Sequence, residues 1–254
     1  MNFARLCQTR PGYGYWGIAD PHASEPHRDD DGVYVADLRN RSLRLIVSHR
    51  DVRRVGKILP AADEKDWFNH LKFNPSATRL VFLHRWDGMV AGHVGRMHRV
   101  MTVNPDGSDL QCLLEGYVAS HFDWYDDERI LIWLSHAGGT GFFLVDETTG
   151  AMQAVGPDFL TLDGHCNFRP QRDWFLTDTY PQGEGRLQFL MLVHPGSNRV
   201  VEVAALPSMP VADASLRCDL HARWNHDGTR ICLDSTHERS RQLYILDVSD
   251  VVTS

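Results

Sequence analysis

Apolar residues fall in short runs along this chain, and polar turn residues separate the runs. "RLVFLHRW" (79–86), "RILIWLSH" (129–136), "DWFLTDTY" (173–180), "LQFLMLVH" (187–194) and "QLYILDVSD" (242–250) are rich in Leu, Ile, Val and Phe. They stop at Gly, Asn, Asp or Pro, residues that tolerate the backbone angles of tight turns. "NPDGSD" (104–109) and "DETTG" (146–150) have hairpin chemistry. Strong amphipathic helix patterns are absent. Even the opening "FARLC" (3–7) has a strand-like look. The pattern predicts an all-β protein.

Aligning the runs exposes a repeat. A His, two further residues and an aromatic precede a turn and an apolar strand in "NHLKF" (69–73), "SHFDW" (120–124), "GHCNF" (164–168) and "LHARW" (220–224). The motif histidines, His70, His121, His165 and His221, are 51, 44 and 56 residues apart. Four-stranded propeller blades recur at about 40–50 residues. A second polar position follows 13 to 16 residues after each motif His: His84, His136, Asp178 to Tyr180, and His237. The fold expected is an all-β propeller of four-stranded blades, with about five blades visible, as an incomplete seven-bladed propeller. It is read as one domain over 1–254, with blades near 1–60, 61–117, 118–158, 159–210 and 211–254. The first strand of each propeller blade lines the central channel. The motif histidines are therefore expected around one channel mouth. One such His alone is more often a bond to a neighbouring blade; four at one repeat position favour a site.

Bulk properties narrow the partners. The chain has 254 residues, 43% hydrophobic and 23% charged, which suits a globular core of ordinary size. The net charge of −7 gives no global basic field for nucleic acid or an anionic membrane, so neither is expected as a partner. An anionic ligand would need a local cationic site. Cys7, Cys112, Cys166, Cys218 and Cys232 make no disulfide framework. With no signal-peptide pattern at the start, they lean towards a cytoplasmic location. Fourteen His are many for such a chain.

The segments "WFNHLKFNP", "RLVFLHRW", "SHFDW", "DGHCNFRP", "WFLTDTYP" and "RCDLHARWNHDGTRICLDS" resemble the seven-bladed propeller polysaccharide lyases. Two branches are similar: the oligogalacturonate lyases and the ulvan lyases with their relatives. The resemblance is to a C-terminal portion, as though N-terminal blades were lacking. It implies a metal held by imidazoles on adjacent blades, and an acidic poly- or oligosaccharide as partner. At the last motif the oligogalacturonate lyases resemble Q-x-x-H-x-H, where this chain has Cys218, His221 and Arg223. That departure points towards the ulvan-lyase branch.

The residues then take roles. His165, Asp178, Cys218 and His221 are the candidate metal ligands, with Asp163 and Asp219 as alternatives. A thiolate in the set favours zinc over manganese or calcium. Eliminative cleavage of a uronate needs a neutralised carboxylate, a base at C5 and an acid for the leaving oxygen. His70, His84, His121 and His136 are the catalytic candidates. His70 as base with His84 beside the carboxylate resembles the ulvan-lyase arrangement, and Tyr117 or Tyr180 offers a phenol. Arg85, Arg217 and Arg223 are candidate anion clamps, and Trp86 a candidate sugar platform. Trp124 and Trp224 fill the repeated aromatic slot and belong to the core.

The function expected is a polysaccharide lyase-like cleavage by β-elimination. The alternative is a non-catalytic, TolB-like propeller scaffold that binds protein or oligosaccharide. A metal-dependent hydrolase comes third, without a nucleophile-elbow motif in its favour.

Overall fold

The computed structural model describes residues 1–10, 13–90, 93–197, 199–213 and 216–253. They form two compact units, 1–119 and 120–254.

The first unit opens with helix α1 (Phe3–Thr9) rather than a strand. The Asn2 side chain explains the difference. Its Oδ1 accepts from the backbone N–H of Ala4 at 2.9 Å and of Arg5 at 3.4 Å, which satisfies donors that a helix start leaves open. A two-stranded sheet follows, β1 (Gly32–Asp37) and β2 (Ser42–Ser48), and then a 3-10 turn over Asp51–Arg54. The next sheet is a four-stranded antiparallel meander: β3 (Asp66–Phe73), β4 (Leu80–Val90), β5 (His93–Val103) and β6 (Gln111–Glu115). Alternate residues of β4 and β5 (Leu80, Phe82, Met101, Val103) join Phe68, Val33, Val47 and Val52 in one buried cluster. That is the period-2 burial a sheet face requires.

The second unit carries two more four-stranded meanders. One is β7 (Val118–Trp124), β8 (Arg129–His136), β9 (Gly139–Asp146) and β10 (Met152–Val155). The other is β11 (Cys166–Phe168), β12 (Phe175–Asp178), β13 (Leu187–His194) and β14 (Arg199–Pro207). A three-stranded sheet, β15 (Arg223–Trp224), β16 (Arg230–Ser235) and β17 (Gln242–Asp247), precedes the short helix α2 (Ser249–Val252). Leu176, Leu190 and Leu192 of one sheet pack with Ile231 and Leu233 of the next. Antiparallel four-stranded meanders stacked face to face are propeller blades, and the chain is an all-β propeller protein.

The repeat seen in the sequence has a local cause. Four residues after His221, the Asn225 Oδ1 accepts from the N–H groups of Thr229 (2.9 Å) and Arg230 (3.0 Å). Four residues after His70, Asn74 makes the same pair with Thr78 (2.8 Å) and Arg79 (2.9 Å). An Asn side chain thus closes the first hairpin of both sheets. His70 and His221 also share a left-handed backbone, at φ of 53° and 41°. In β3 this coincides with an irregularity in pairing between Asn69 and Lys72. Trp124 is fully buried, while Trp224 is partly buried and donates its Nε1–H to the carbonyl of Asn167 at 3.0 Å.

Candidate functional site

Three of the four motif histidines come together in the second unit. His121 lies in β7, His165 immediately before β11 and His221 just before β15. The ring centroids of His121 and His165 are 4.0 Å apart, and those of His165 and His221 are 3.7 Å apart. Tyr180, two residues beyond β12, stands 5.8 Å from the His165 ring and 6.1 Å from that of His121.

Each imidazole has an acidic neighbour. The His121 Nδ1 faces Asp163 Oδ1 at 3.1 Å, and the Ser120 hydroxyl donates to Asp163 Oδ2 at 2.8 Å. This is not a nucleophile triad, because Ser120 and Asp163 approach the same ring nitrogen. The His165 Nδ1 faces the two oxygens of Asp178 at 2.9 and 3.0 Å. Asp219 sits two residues before His221 and is paired with Arg217, whose Nη2 donates to Oδ2 at 2.9 Å. The Arg217 guanidinium also lies 4.4 Å from the centre of the Tyr180 ring.

The electrostatics differ along this row. Burial lowers the pKa of His121, with the neighbouring His165 acting in the same direction. Burial likewise lowers that of His221. For His165 burial opposes the charged form, but the hydrogen bond and charge of Asp178 outweigh it and the pKa is raised. Asp219 is lowered: burial works against its charge, and the Arg217 contact prevails.

His165, Asp219 and His221 can present one ligand atom each within 4.8 Å of one another. Tetrahedral ligands about 2.0–2.2 Å from one ion are about 3.3–3.6 Å apart, so the three side chains would have to draw together to share an ion. Two imidazoles and a carboxylate are a donor set that suits a divalent transition metal. Asp219 therefore stands where the sequence favoured Cys218 and Asp178. Cys218 is buried, its thiol directed to the carbonyl of Asp219 at 3.9 Å, and burial raises its pKa. Without a thiolate among the three, zinc loses the advantage the sequence gave it.

The other sequence candidates lie elsewhere. His84 is fully buried, with Nε2 2.7 Å from Asp66 and Nδ1 accepting from Arg99 Nε at 3.1 Å. Both ring nitrogens are engaged, and no open nitrogen is left for a substrate. Trp86 is 2% exposed and packs with Leu6 and Trp67, so it offers no face to a sugar. Arg85 is buried beside it in sequence, donating to His98 Nδ1 (3.1 Å) and the carbonyl of Ala119 (2.7 Å). Full pairing of β4 with both β3 and β5 draws these three side chains inside. His70 belongs to the first unit, its ring edge-on to Tyr13 at 6.3 Å. His136 ends β8, packs on Phe143 and accepts from the Gly138 N–H at 3.0 Å. Arg223 is exposed and donates to the carbonyl of His221 at 2.9 Å. Of the substrate-binding candidates, Arg217 is the one held against the imidazole row.

No family model matches the sequence, and no curated protein matches it by sequence. Solved structures do match the fold. An oligogalacturonate lyase in complex with manganese superposes with a TM-score of 0.62 at 15% identity, over 86% of this chain and 54% of that one. The oligogalacturonate lyase of Vibrio parahaemolyticus gives 0.61 at 16% identity, over 84% and 53%. A putative TolB from Agrobacterium tumefaciens gives 0.51 at 12% identity, over 84% and 64%. The chain spans about half the length of the two lyases it matches. At these identities the likeness is one of fold. It includes the oligogalacturonate-lyase branch of the resemblance, and it lends no support to the ulvan-lyase branch.

Proposed function

We propose that this protein is a divalent-metal-dependent, lyase-like propeller that cleaves a uronate-containing oligo- or polysaccharide by β-elimination. The observation that carries the reading is the row His121, His165 and His221, flanked by Asp219, Arg217 and Tyr180. Imidazoles, a metal-competent donor set, a guanidinium and a phenol in one neighbourhood support this reading. The fold likeness to a manganese-bound oligogalacturonate lyase favours the same class.

In this reading His121 is the base. Asp163 accepts its Nδ1–H, which leaves the lone pair on Nε2. Burial keeps the ring neutral near neutral pH, the state a base requires. A divalent ion on His165, Asp219 and His221 would neutralise the substrate carboxylate and acidify the adjacent C–H. Arg217 adds a second cation for that carboxylate. The C5 proton passes to His121, a C4–C5 double bond forms, the C4–O bond breaks, and the leaving oxygen takes the Tyr180 phenolic proton.

The test is incubation with polygalacturonate and other uronate polymers in the presence of Mn²⁺, following the ultraviolet absorbance of the unsaturated uronyl product. Absorbance that rises with wild type and not with His121→Ala supports the reading. No rise across the panel favours the second reading, a TolB-like scaffold that binds without catalysis, to which the TM-score of 0.51 lends support.

A further inference from the structure

We propose that Asp178 is the positioning residue of this site: a carboxylate that orients both imidazole ligands and ligates nothing itself. The inference rests on the metal reading above for its purpose, but its geometry is independent of it. Asp178 ends β12 and is 1% exposed. Its Oδ1 accepts from the backbone N–H of His165 at 2.7 Å and faces the Nδ1 of the same residue at 2.9 Å. Its Oδ2 accepts from the backbone N–H of His221 at 3.0 Å, 43 residues further along the chain.

Three N–H groups thus converge on one carboxylate. Three of its roughly four lone-pair sites face nitrogen donors, which makes it a poor fourth ligand and a good anchor. Two consequences follow for the ligands. An acceptor at Nδ1 fixes the proton there, so the His165 lone pair sits on Nε2, on the far side of the ring. The contact to His221 N–H holds that residue in its left-handed backbone, φ 41°, which few non-glycine residues adopt without support. One side chain on a second strand therefore sets the ring of one repeat and the backbone of the next.

The close approach has its own requirement. A Cβ at residue 164 would meet the carbonyl oxygen of Asp178 at 1.7 Å and Oδ1 at 3.1 Å. Gly164 lets the segment carrying His165 lie directly against Asp178.

The experiment has two readouts. Nitrogen-15 NMR of the metal-free wild-type protein, above the pKa of His165, reports the tautomer of that ring. The Nδ1–H form is expected, and an Nε2–H ring overturns the proposal without any variant. The second readout is calorimetric titration with Mn²⁺ of wild type and Asp178→Asn. The amide keeps the shape but puts an NH₂ where a donor already points. Mn²⁺ affinity is expected to fall about 10–100-fold, with the His165 tautomer no longer fixed. Wild-type affinity together with a wild-type tautomer in Asp178→Asn overturns the proposal. If wild type takes up no Mn²⁺, the metal reading fails, and the tautomer alone decides the role of Asp178.

Discussion

Asp66 in the first unit and Asp178 in the second are both buried carboxylates at the centre of a histidine cluster, and the clusters are finished differently. Around Asp66, His84 Nε2 lies at 2.7 Å, His49 Nδ1 at 2.8 Å and Arg5 Nη2 at 3.0 Å. Arg99 then takes the second nitrogen of His84. His49, His84 and Arg99 are 0% exposed, and Arg5 is 1% exposed. Around Asp178, the backbone N–H groups of His165 and His221 take much of the carboxylate, and only one ring is held. His165 is partly exposed and His221 exposed. The lesson concerns the second nitrogen of an imidazole. Where a guanidinium meets it, the ring is a joint between strands. Where the ring is left partly exposed, as at His165, it can serve the function proposed above.

The pairing is also reversed between the units. In the first, the carboxylate is on the first strand of the sheet and the imidazole on the second, β3 and β4. In the second, the imidazole precedes the first strand and the carboxylate ends the second, β11 and β12.

Five substitutions probe this contrast, the largest effect first. Asp66→Ala strips three buried cationic or imidazole groups of their partner, and should cost about 3–5 kcal/mol in denaturant unfolding. A loss below about 1 kcal/mol would mean that the sealed cluster is not a joint. His121→Ala should lower the elimination rate by about 10²–10⁴-fold, with unfolding shifted far less than in Asp66→Ala. Equal losses of activity and stability would place His121 with the structural rings.

The third probe is pH. Burial holds the His84 pKa down to about 4, against 6.5 for the free side chain. The unfolded chain therefore binds a proton that the folded chain refuses between these values. Stability should fall as pH drops from about 6.5 towards 4, by up to about 3 kcal/mol. His49 acts in the opposite sense. Its pKa is raised because the contacts to Asp31 and Asp66 outweigh its burial, so its contribution is present at acid pH and lost as pH rises through that value. His84→Gln should flatten the acid limb of the unfolding profile; an unchanged limb would assign it to other groups. Smallest of all, Arg223→Ala at an exposed position should move stability by no more than about 0.5 kcal/mol. Arg217→Ala should raise KM severalfold under the same assay, and equal KM values for the two variants would remove Arg217 from substrate binding.

Much of the fold was legible because its signals are local. Turn residues and alternating apolar runs mark strands wherever they occur, and the recurring His-x-x-aromatic marks the first strand of a sheet. The helix at Phe3–Thr9 was missed because its start depends on a single Asn2 cap. The candidate site was half legible. His121, His165, His221 and Arg217 follow from the repeat and from the chemistry of uronates. Asp219, two residues from a motif His, entered only as an alternative ligand, behind Cys218 beside it. His84, Arg85 and Trp86 looked like site residues because polar and aromatic side chains crowd a strand end. Burial there depends on long β4–β5 pairing, which no short pattern reports.

The contact at Gly164 has a consequence for engineering. A single methyl group at that position would act as a wedge, driven between the segment that carries His165 and the strand that carries Asp178. Gly164→Ala is therefore the lightest covalent change able to pull the imidazole row apart while leaving every histidine, carboxylate and arginine of the site in the sequence.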